Sequence, residues 1–329
     1  MKKIALTVLS VVAATIAVLK IWLLIGPFAD FSPPQADAGS RTTIAFVGDH
    51  GARPESFGVF ELIRREGADL LVSPGDFGYD KFAGEFETVL DATLGPDFPI
   101  IAALGNHDRK EQLQYRAFFR ERLANTPEVV CDGDILIRSA CSYRGIDIVS
   151  TTPGVSVLSW LDDGSTFLER TLASSRSRWK ICNWHKNQSA LQLGGKGNSV
   201  GWDSYEICRK HGALIVTAHE HSYGRTFPIT RMSEAPAYDP ADPAVARLFP
   251  GQTTVIVSGL GGQSVREQLR DDPWWAAKYT SDQGAKEGGV LFCTFEKGGL
   301  SDEAQCRFVD SDGKTIDRFR LEADGPRRS

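Results

Sequence analysis

The chain has no surplus of positive charge, no Cys-x-x-Cys pair, no internal repeat and no run of like charges long enough to read as an interaction tail. Each absence removes a class. Lysine and arginine number 37 against 42 aspartates and glutamates, for a net charge of −5. A face that grips nucleic acid is basic, so no nucleic-acid-binding surface is expected. Without Cys-x-x-Cys there is no zinc knuckle and no redox motif of the thioredoxin kind. Without repeats, a solenoid is excluded. Hydrophobic residues at 42% and charged residues at 24% are then those of an ordinary globular protein. A length of 329 residues allows one large domain or two small ones. Histidine is scarce too. Six occur, and five of them fall in short segments with other metal-binding side chains.

Those segments read Gly48-Asp49-His50-Gly51, Gly75-Asp76-Phe77-Gly78-Tyr79, Gly105-Asn106-His107-Asp108, Asn183-Trp184-His185 and Ala218-His219-Glu220-His221. Each follows an apolar, β-branched run: Thr43 to Val47, Leu70 to Ser73, Ile100 to Leu104, Lys180 to Cys182 and Ala213 to Thr217. Such runs read as buried parallel strands. Ligands in open α/β sheets bind outside the carboxyl ends of the strands. Five loops therefore bring aspartate, tyrosine, asparagine and histidine to one sheet edge. Carboxylates neutralise and bridge hard cations, and imidazoles hold borderline metals, so the set suits a two-metal hydrolytic centre. A lone aspartate after a strand is ordinarily a turn or cap residue; five segments in order carry a different weight.

In this order the segments resemble the calcineurin-like metallophosphoesterase superfamily, and within it the purple acid phosphatase branch. The resemblance covers residues 42 to 232 by motif. A compensating pair selects the branch. Many members place a histidine two residues after the first aspartate, where this chain has Gly51, with His50 one position early. The purple branch instead uses a tyrosine three residues after the second aspartate, which is Tyr79 here. Two departures stand beside the ligands: Ala218 where glycine is usual, and Cys182 where a valine-like residue is common. The run Lys186-Asn187-Gln188 matches no family pattern, which leaves substrate choice open.

The resemblance implies roles. Asp49, Tyr79 and His221 would hold one metal, Asn106, His185 and His219 the other, and Asp76 would bridge them. The first set with Asp76 carries three negative charges once Tyr79 is ionised, which calls for a trivalent ion such as Fe3+ beside a phenol of ordinary pKa about 10. The second set, an amide and two imidazoles, suits a divalent ion: Fe2+, Zn2+ or Mn2+. The implied activity is hydrolysis of phosphate monoesters by a metal-activated hydroxide. His107 would steady the phosphoryl oxygens or protonate the leaving group, with Asp108 orienting or charging it. The substrate would be a small phosphate ester. Two alternatives stay open: a phosphodiesterase or nucleotidase on the same metals, and an inactive fold that serves as a surface binding module.

Other residues carry plainer readings. The plainer alternatives are Tyr79 as a rim aromatic and His107 as a residue that holds its loop, and both rank behind the roles above. His50 reads as a neighbour of the ligands, and His211 suits the negative end of a helix. Tyr223 and Arg225 are as suited to packing as to substrate contact. Gly259 to Gly262 can cradle an anion but lacks a strand-to-helix context.

The N-terminus reads as an export signal. Lys2 and Lys3 precede Ile4 to Leu19, which is free of charge, and Ile21 to Phe28 continues apolar after Lys20. Either the segment is cleaved after the small-x-small site Ala36-Asp37-Ala38, or it stays as an anchor. With the lysines in the cytoplasm, the remainder lies outside: secreted, periplasmic or membrane-anchored. The membrane is then a partner only through the uncleaved segment. The expected organisation is a signal or anchor over residues 1–31, a linker over 32–41, one catalytic domain over 42–322 and a tail over 323–329.

Within the domain, helices are expected over Glu55 to Glu66, Phe82 to Leu94, Glu111 to Ala124, Asp163 to Ser174 and Ser204 to His211. Strands are expected over Ile146 to Thr151, Thr253 to Val257, Gly289 to Glu296, Ala304 to Val309 and Lys314 to Leu321. Residues 233–251 read as an excursion loop. The alternation gives an α/β class. The resemblance specifies two facing mixed β-sheets flanked by helices, a four-layer α/β/β/α sandwich. Six cysteines fit an oxidising compartment. The expected disulfides are sequence-local: Cys131–Cys141 and Cys293–Cys306 across turns, and Cys182–Cys208 from strand to helix.

Overall fold

A computed structural model of the chain describes residues 41–79, 82–155, 164–286, 288–297 and 299–323. Two large sheets organise it. The first runs in the order β12 (Val245–Leu248), β17 (Thr315–Ala323), β16 (Glu303–Asp310), β15 (Gly289–Phe295), β1 (Thr42–Phe46), β2 (Leu70–Ser73) and β3 (Ile100–Ala102). The second runs β14 (Trp275–Tyr279), β9 (Tyr223–Thr226), β13 (Val255–Ser258), β8 (Leu214–Thr217), β7 (Trp179–Asn183), β6 (Ile146–Ser150), β5 (Arg138–Tyr143) and β4 (Val129–Asp134). A small ribbon pairs β10 (Ile229–Arg231) with β11 (Ala237–Tyr238). β1, β2 and β3 are parallel, as are β6, β7, β8 and β13. The flanking strands are mostly antiparallel, so both sheets are mixed.

The side-chain period of two builds the layers. Ile44 and Phe46 of β1 join Ile148, Ile181 and Val216 of the second sheet in the core between the sheets. Ala45 and Val47 point the other way, onto Val59, Phe60 and Phe86 of α1 (Pro54–Arg65) and α2 (Ala83–Leu94). α3 (Gln112–Ala124) completes that layer through Tyr115 and Phe119. Across the molecule, α4 (Ser165–Ser174) and α5 (Trp202–Lys210) cover the second sheet through Leu168, Leu172, Tyr205 and Cys208. The expected four layers are present. α1 starts with proline in its first turn and stops before Gly67, whose φ of 65° only glycine adopts freely.

Three expectations need correction. Residues 233–251 are not all loop: Val245–Leu248 forms β12, a parallel edge strand on β17. The turn before β5 lies past Asp134, because β4 continues through Asp132-Gly133-Asp134. β9 and β14 carried no expected strand. Tyr223 and Arg225 are interior packing residues. Both lie on β9 and reach Asp317 on β17 of the facing sheet, through Tyr223 Oη at 2.7 Å and Arg225 Nε at 2.7 Å. The Arg225 guanidinium lies 4.2 Å from the centre of the Phe319 ring. The expected helix cap Asp163 and the expected signal or anchor fall outside the described residues. Among the described residues, no helix is long and apolar enough to cross a membrane.

All three expected disulfides form. Cys131 faces Cys141 across β4 and β5, Cys293 faces Cys306 across β15 and β16, and Cys182 on β7 joins Cys208 on α5. The last closes the longest loop, with a sequence separation of 26. Removing it by a double Cys→Ala change is expected to cost about 2–4 kcal/mol. Urea unfolding of the oxidised pair of proteins measures this, and equal midpoints would refute it.

Candidate metal centre

All five motif loops leave the carboxyl ends of parallel strands of the two sheets and meet at one edge. They are hydrogen-bonded to one another, not merely adjacent. Asp49 N donates to Gly75 O at 2.9 Å, His50 N to Asp76 O at 2.9 Å and Ala218 N to His185 O at 3.1 Å. Asp49, Asp76, Tyr79 and His219 all have left-handed φ, between 55° and 68°. Non-glycine residues hold that region at a cost and cluster at functional sites.

Two groups of donors result. In the first, Tyr79 Oη donates to Asp49 Oδ1 at 2.8 Å and lies 3.0 Å from His221 Nε2. In the second, His185 Nε2 is 3.0 Å from Asp76 Oδ2 and 3.1 Å from His219 Nδ1. Asp76, His185 and His219 offer ligand atoms within 4.8 Å of one another. His185 Nδ1 and His221 Nδ1 each lie 3.0 Å from a carbonyl, Pro74 O and Ser264 O. A carbonyl only accepts, so each Nδ1 carries a proton and each Nε2 is the nitrogen that faces the centre.

The donor set fits cations. Asp49 Oδ2 and Asn106 Oδ1 are buried acceptors without a hydrogen-bond partner, and a buried orphan calls for an ion or water. Burial, then the His185 charge, hold His219 well below the ordinary imidazole value, and burial lowers His221 too. Both are neutral at neutral pH, as an imidazole must be to ligate a cation. Burial works to raise Asp76, but His185 and the His107 backbone N–H hold it below the usual carboxylate range. Burial, then the Asp49 charge, push the Tyr79 phenol well above its ordinary value. Without a cation, Tyr79 is a proton donor.

His107 is exposed at the mouth, its ring 4.4 Å from the Tyr79 ring centre. Its backbone N–H donates to Asp76 Oδ1 at 2.9 Å. Asp108 was expected to orient His107 and is committed elsewhere. Its oxygens accept backbone N–H groups from Asp76 at 2.8 Å, Phe77 at 2.7 Å and Gly105 at 2.7 Å. It locks the second motif loop to the third. Burial, then the Asp76 charge, raise its carboxyl to about 7 against those donors. His50 turns away from the ligands, bonds Ser73 Oγ at 3.0 Å and packs on Phe60 and Phe86. Burial lowers it to about 3, so it is neutral.

The departures from the family pattern find local reasons. Ala218 Cβ lies 2.8 Å from where a Cβ on Gly48 would stand, so alanine fits at 218 because 48 is glycine. Cys182 is a disulfide partner. Asn187 Nδ2 donates to Ala218 O at 2.6 Å and ties two ligand loops together. Gly259 and Gly261 do not frame an anion cradle; they pack against Asp49, Glu220 and the Gly48 carbonyl. His211 meets Glu169 at 3.2 Å and has no contact with the candidate ligands among those described. Motif reading missed Lys186, Lys196, Glu220 and Arg266. The Lys186 charge acts on Asp76, and those of Lys196 and Arg266 act on His221. The available signal was Glu220 itself, a carboxylate fixed between two inward histidines.

Comparison with known proteins agrees with this fold. The fold is similar to purple acid phosphatase PPD1 from yellow lupin seeds, at 17% identity and a TM-score of 0.65, covering 88% of this chain and 55% of the lupin one. It is also similar to GAP50, the anchor in the inner membrane complex of Plasmodium, at 12% identity and a TM-score of 0.57, covering 87% of this chain and 90% of that one. PhoD matches at 12% identity and a TM-score of 0.51, covering 86% and 73%. This chain thus spans little more than half of the lupin enzyme. No curated protein matches it by sequence. Residues 42–223, more than half of the chain, match the calcineurin-like phosphoesterase family, and the protein belongs to that family.

Proposed function

We propose that the protein is an exported phosphomonoesterase of the purple acid phosphatase type, with a dinuclear centre held by Asp49, Tyr79, His221, Asp76, Asn106, His185 and His219. The observation that carries this reading is the pair of donor groups at one sheet edge, on loops that also leave Asp49 Oδ2 and Asn106 Oδ1 as buried acceptors without a partner. When bound, the two cations would supply an acidified water and a positive seat for phosphate. The chain supplies the rest. Carbonyls of Pro74 and Ser264 fix the histidine tautomers. Asp108 fixes the loops. His107, exposed beside the centre, is suited to pass a proton to the leaving oxygen. Lys186 and Lys196 favour approach of an anion. The intact donor set argues against an inactive binding module. A diesterase would need the same donors, so assays on a monoester and a diester with metal analysis decide between them. A purified chain that takes up no metal, or that stays inert on both esters when metal-loaded, would refute the proposal.

Tyr79 supports Fe3+ in the first position. Protein groups alone oppose its ionisation, so only a strongly Lewis-acidic cation would hold a phenolate there. Fe2+, Zn2+ or Mn2+ would suit the second position. Iron-loaded, oxidised protein is expected to be coloured, and Tyr79→Phe to lose the visible band entirely. A visible spectrum checks this, and surviving colour would remove Tyr79 from the ligand set. The three disulfides support export.

A further inference from the structure

The centre has a cationic annex that the metals do not explain. Glu220, between the ligands His219 and His221, is fully buried, and neither carboxylate oxygen has a hydrogen-bond partner. Its Oε1 lies 2.1 Å from where a Cβ on Gly194 would stand, so only glycine lets the 193–196 segment close over it. Three cations gather on that side. Arg266 Nε is 3.9 Å from Glu220 Oε1, with the side chain 43% exposed. Lys196 Nζ donates to the His219 carbonyl. Arg270 Nη2 donates to Lys196 O at 3.2 Å, and its Nη1 is buried without a partner.

Two loops make this annex, and both are tied to the metal-bearing one. Leu269 and Arg270 donate their backbone N–H groups to Leu193 O at 2.8 and 2.9 Å. Arg266 N donates to His221 O at 3.0 Å. The annex therefore has fixed geometry relative to Asp49 and His221, and the Lys196 charge reaches Asp49. Three positive charges against one carboxylate leave two in excess, on a chain whose net charge is −5. That excess matches a phosphate dianion; a carboxylate would leave one cation uncompensated. A free guanidinium nitrogen and an exposed guanidinium are also the donors suited to phosphate oxygens.

We propose that Lys196, Arg266 and Arg270, gathered around Glu220, form a second phosphate subsite, and that the substrate is a bisphosphorylated ester whose second phosphate docks there. This rests on the phosphoesterase reading of the centre. The reaction itself is unchanged: water oxygen bonds to phosphorus, the ester P–O bond breaks, and the leaving alkoxide takes a proton. The annex acts on binding and not on the bond being broken, so its effect belongs in affinity and KM rather than kcat.

The test uses metal-loaded full chain and two inert probes, an alkane bisphosphonate and the matching monophosphonate, measured by calorimetry. Wild type is expected to bind the bisphosphonate about tenfold more tightly, and Arg266→Gln and Arg270→Gln to reduce that preference to about twofold or less. Arg266 is exposed enough that its variant folds even if the Arg270 variant does not. Equal affinity for both probes in wild type, or a preference that survives both substitutions, overturns the subsite. A phosphonocarboxylate bound as tightly as the bisphosphonate overturns the assignment to phosphate. An intact preference in a protein that hydrolyses no monoester upholds the subsite and overturns only the proposed activity.

Discussion

Asp76→Asn is expected to lose bound metal and nearly all turnover while the protein stays folded. In the proposed centre this carboxylate would be the bridge between the two donor groups. One oxygen faces His185 at 3.0 Å, and the other accepts the His107 backbone N–H at 2.9 Å. An amide keeps the volume, and the loop is held by main-chain bonds to His50 and Asp108 that the substitution does not touch. What it removes is a negative charge that two bound cations would share, and without it they would repel uncompensated. The expected rate loss exceeds about 10³-fold, beyond the roughly 10–100-fold tied to residues that only support a ligand. Metal analysis, turnover and circular dichroism on the same sample check it. Wild-type metal content with wild-type turnover would end the bridging assignment.

His107→Ala is expected to keep both metals and lose about 10²–10⁴-fold in rate, the range for a general acid. Its backbone N–H, which serves Asp76, survives the change, and its imidazole sits exposed over Tyr79. The loss should shrink for esters with good leaving groups, because these need no proton. A leaving-group series on variant and wild type reads this directly. A loss independent of the leaving group, or loss of metal, would make His107 a structural residue of its loop.

The centre was legible because its chemistry demands residue types, and those types followed strands that local apolar runs already marked. Asp49, Asp76, Tyr79, His185, His219 and His221 meet as the spacing implied. Asp108 shows the limit. An aspartate beside a histidine reads as its partner, but the three N–H groups that saturate it come from two loops, with Asp76 and Phe77 distant in sequence. The same holds for the strands that were missed. Tyr223-Gly224-Arg225-Thr226 and Val245-Ala246-Arg247-Leu248 lack an apolar run of their own and become strands because β13 and β17 offer them an edge. The Glu220 annex had no motif at all, since its cations come from segments that only the fold brings together.

The pairing of β1 with β15 sets an order of events. Thr42 to Phe46 lies between β2 and Phe295 to Leu291, so β1, the first strand among the described residues, waits for one of the last. A ribosome releasing the chain from its N-terminus leaves β1 with a bare edge and an apolar face until Gly289–Phe295 emerges. Every candidate ligand, from Asp49 to His221, is already out by then. A fragment ending after the last candidate ligand is therefore not a smaller version of the domain but an unfinished sheet prone to self-association. The span that matches the family, residues 42–223, carries all the candidate ligands but is not a unit that stands alone.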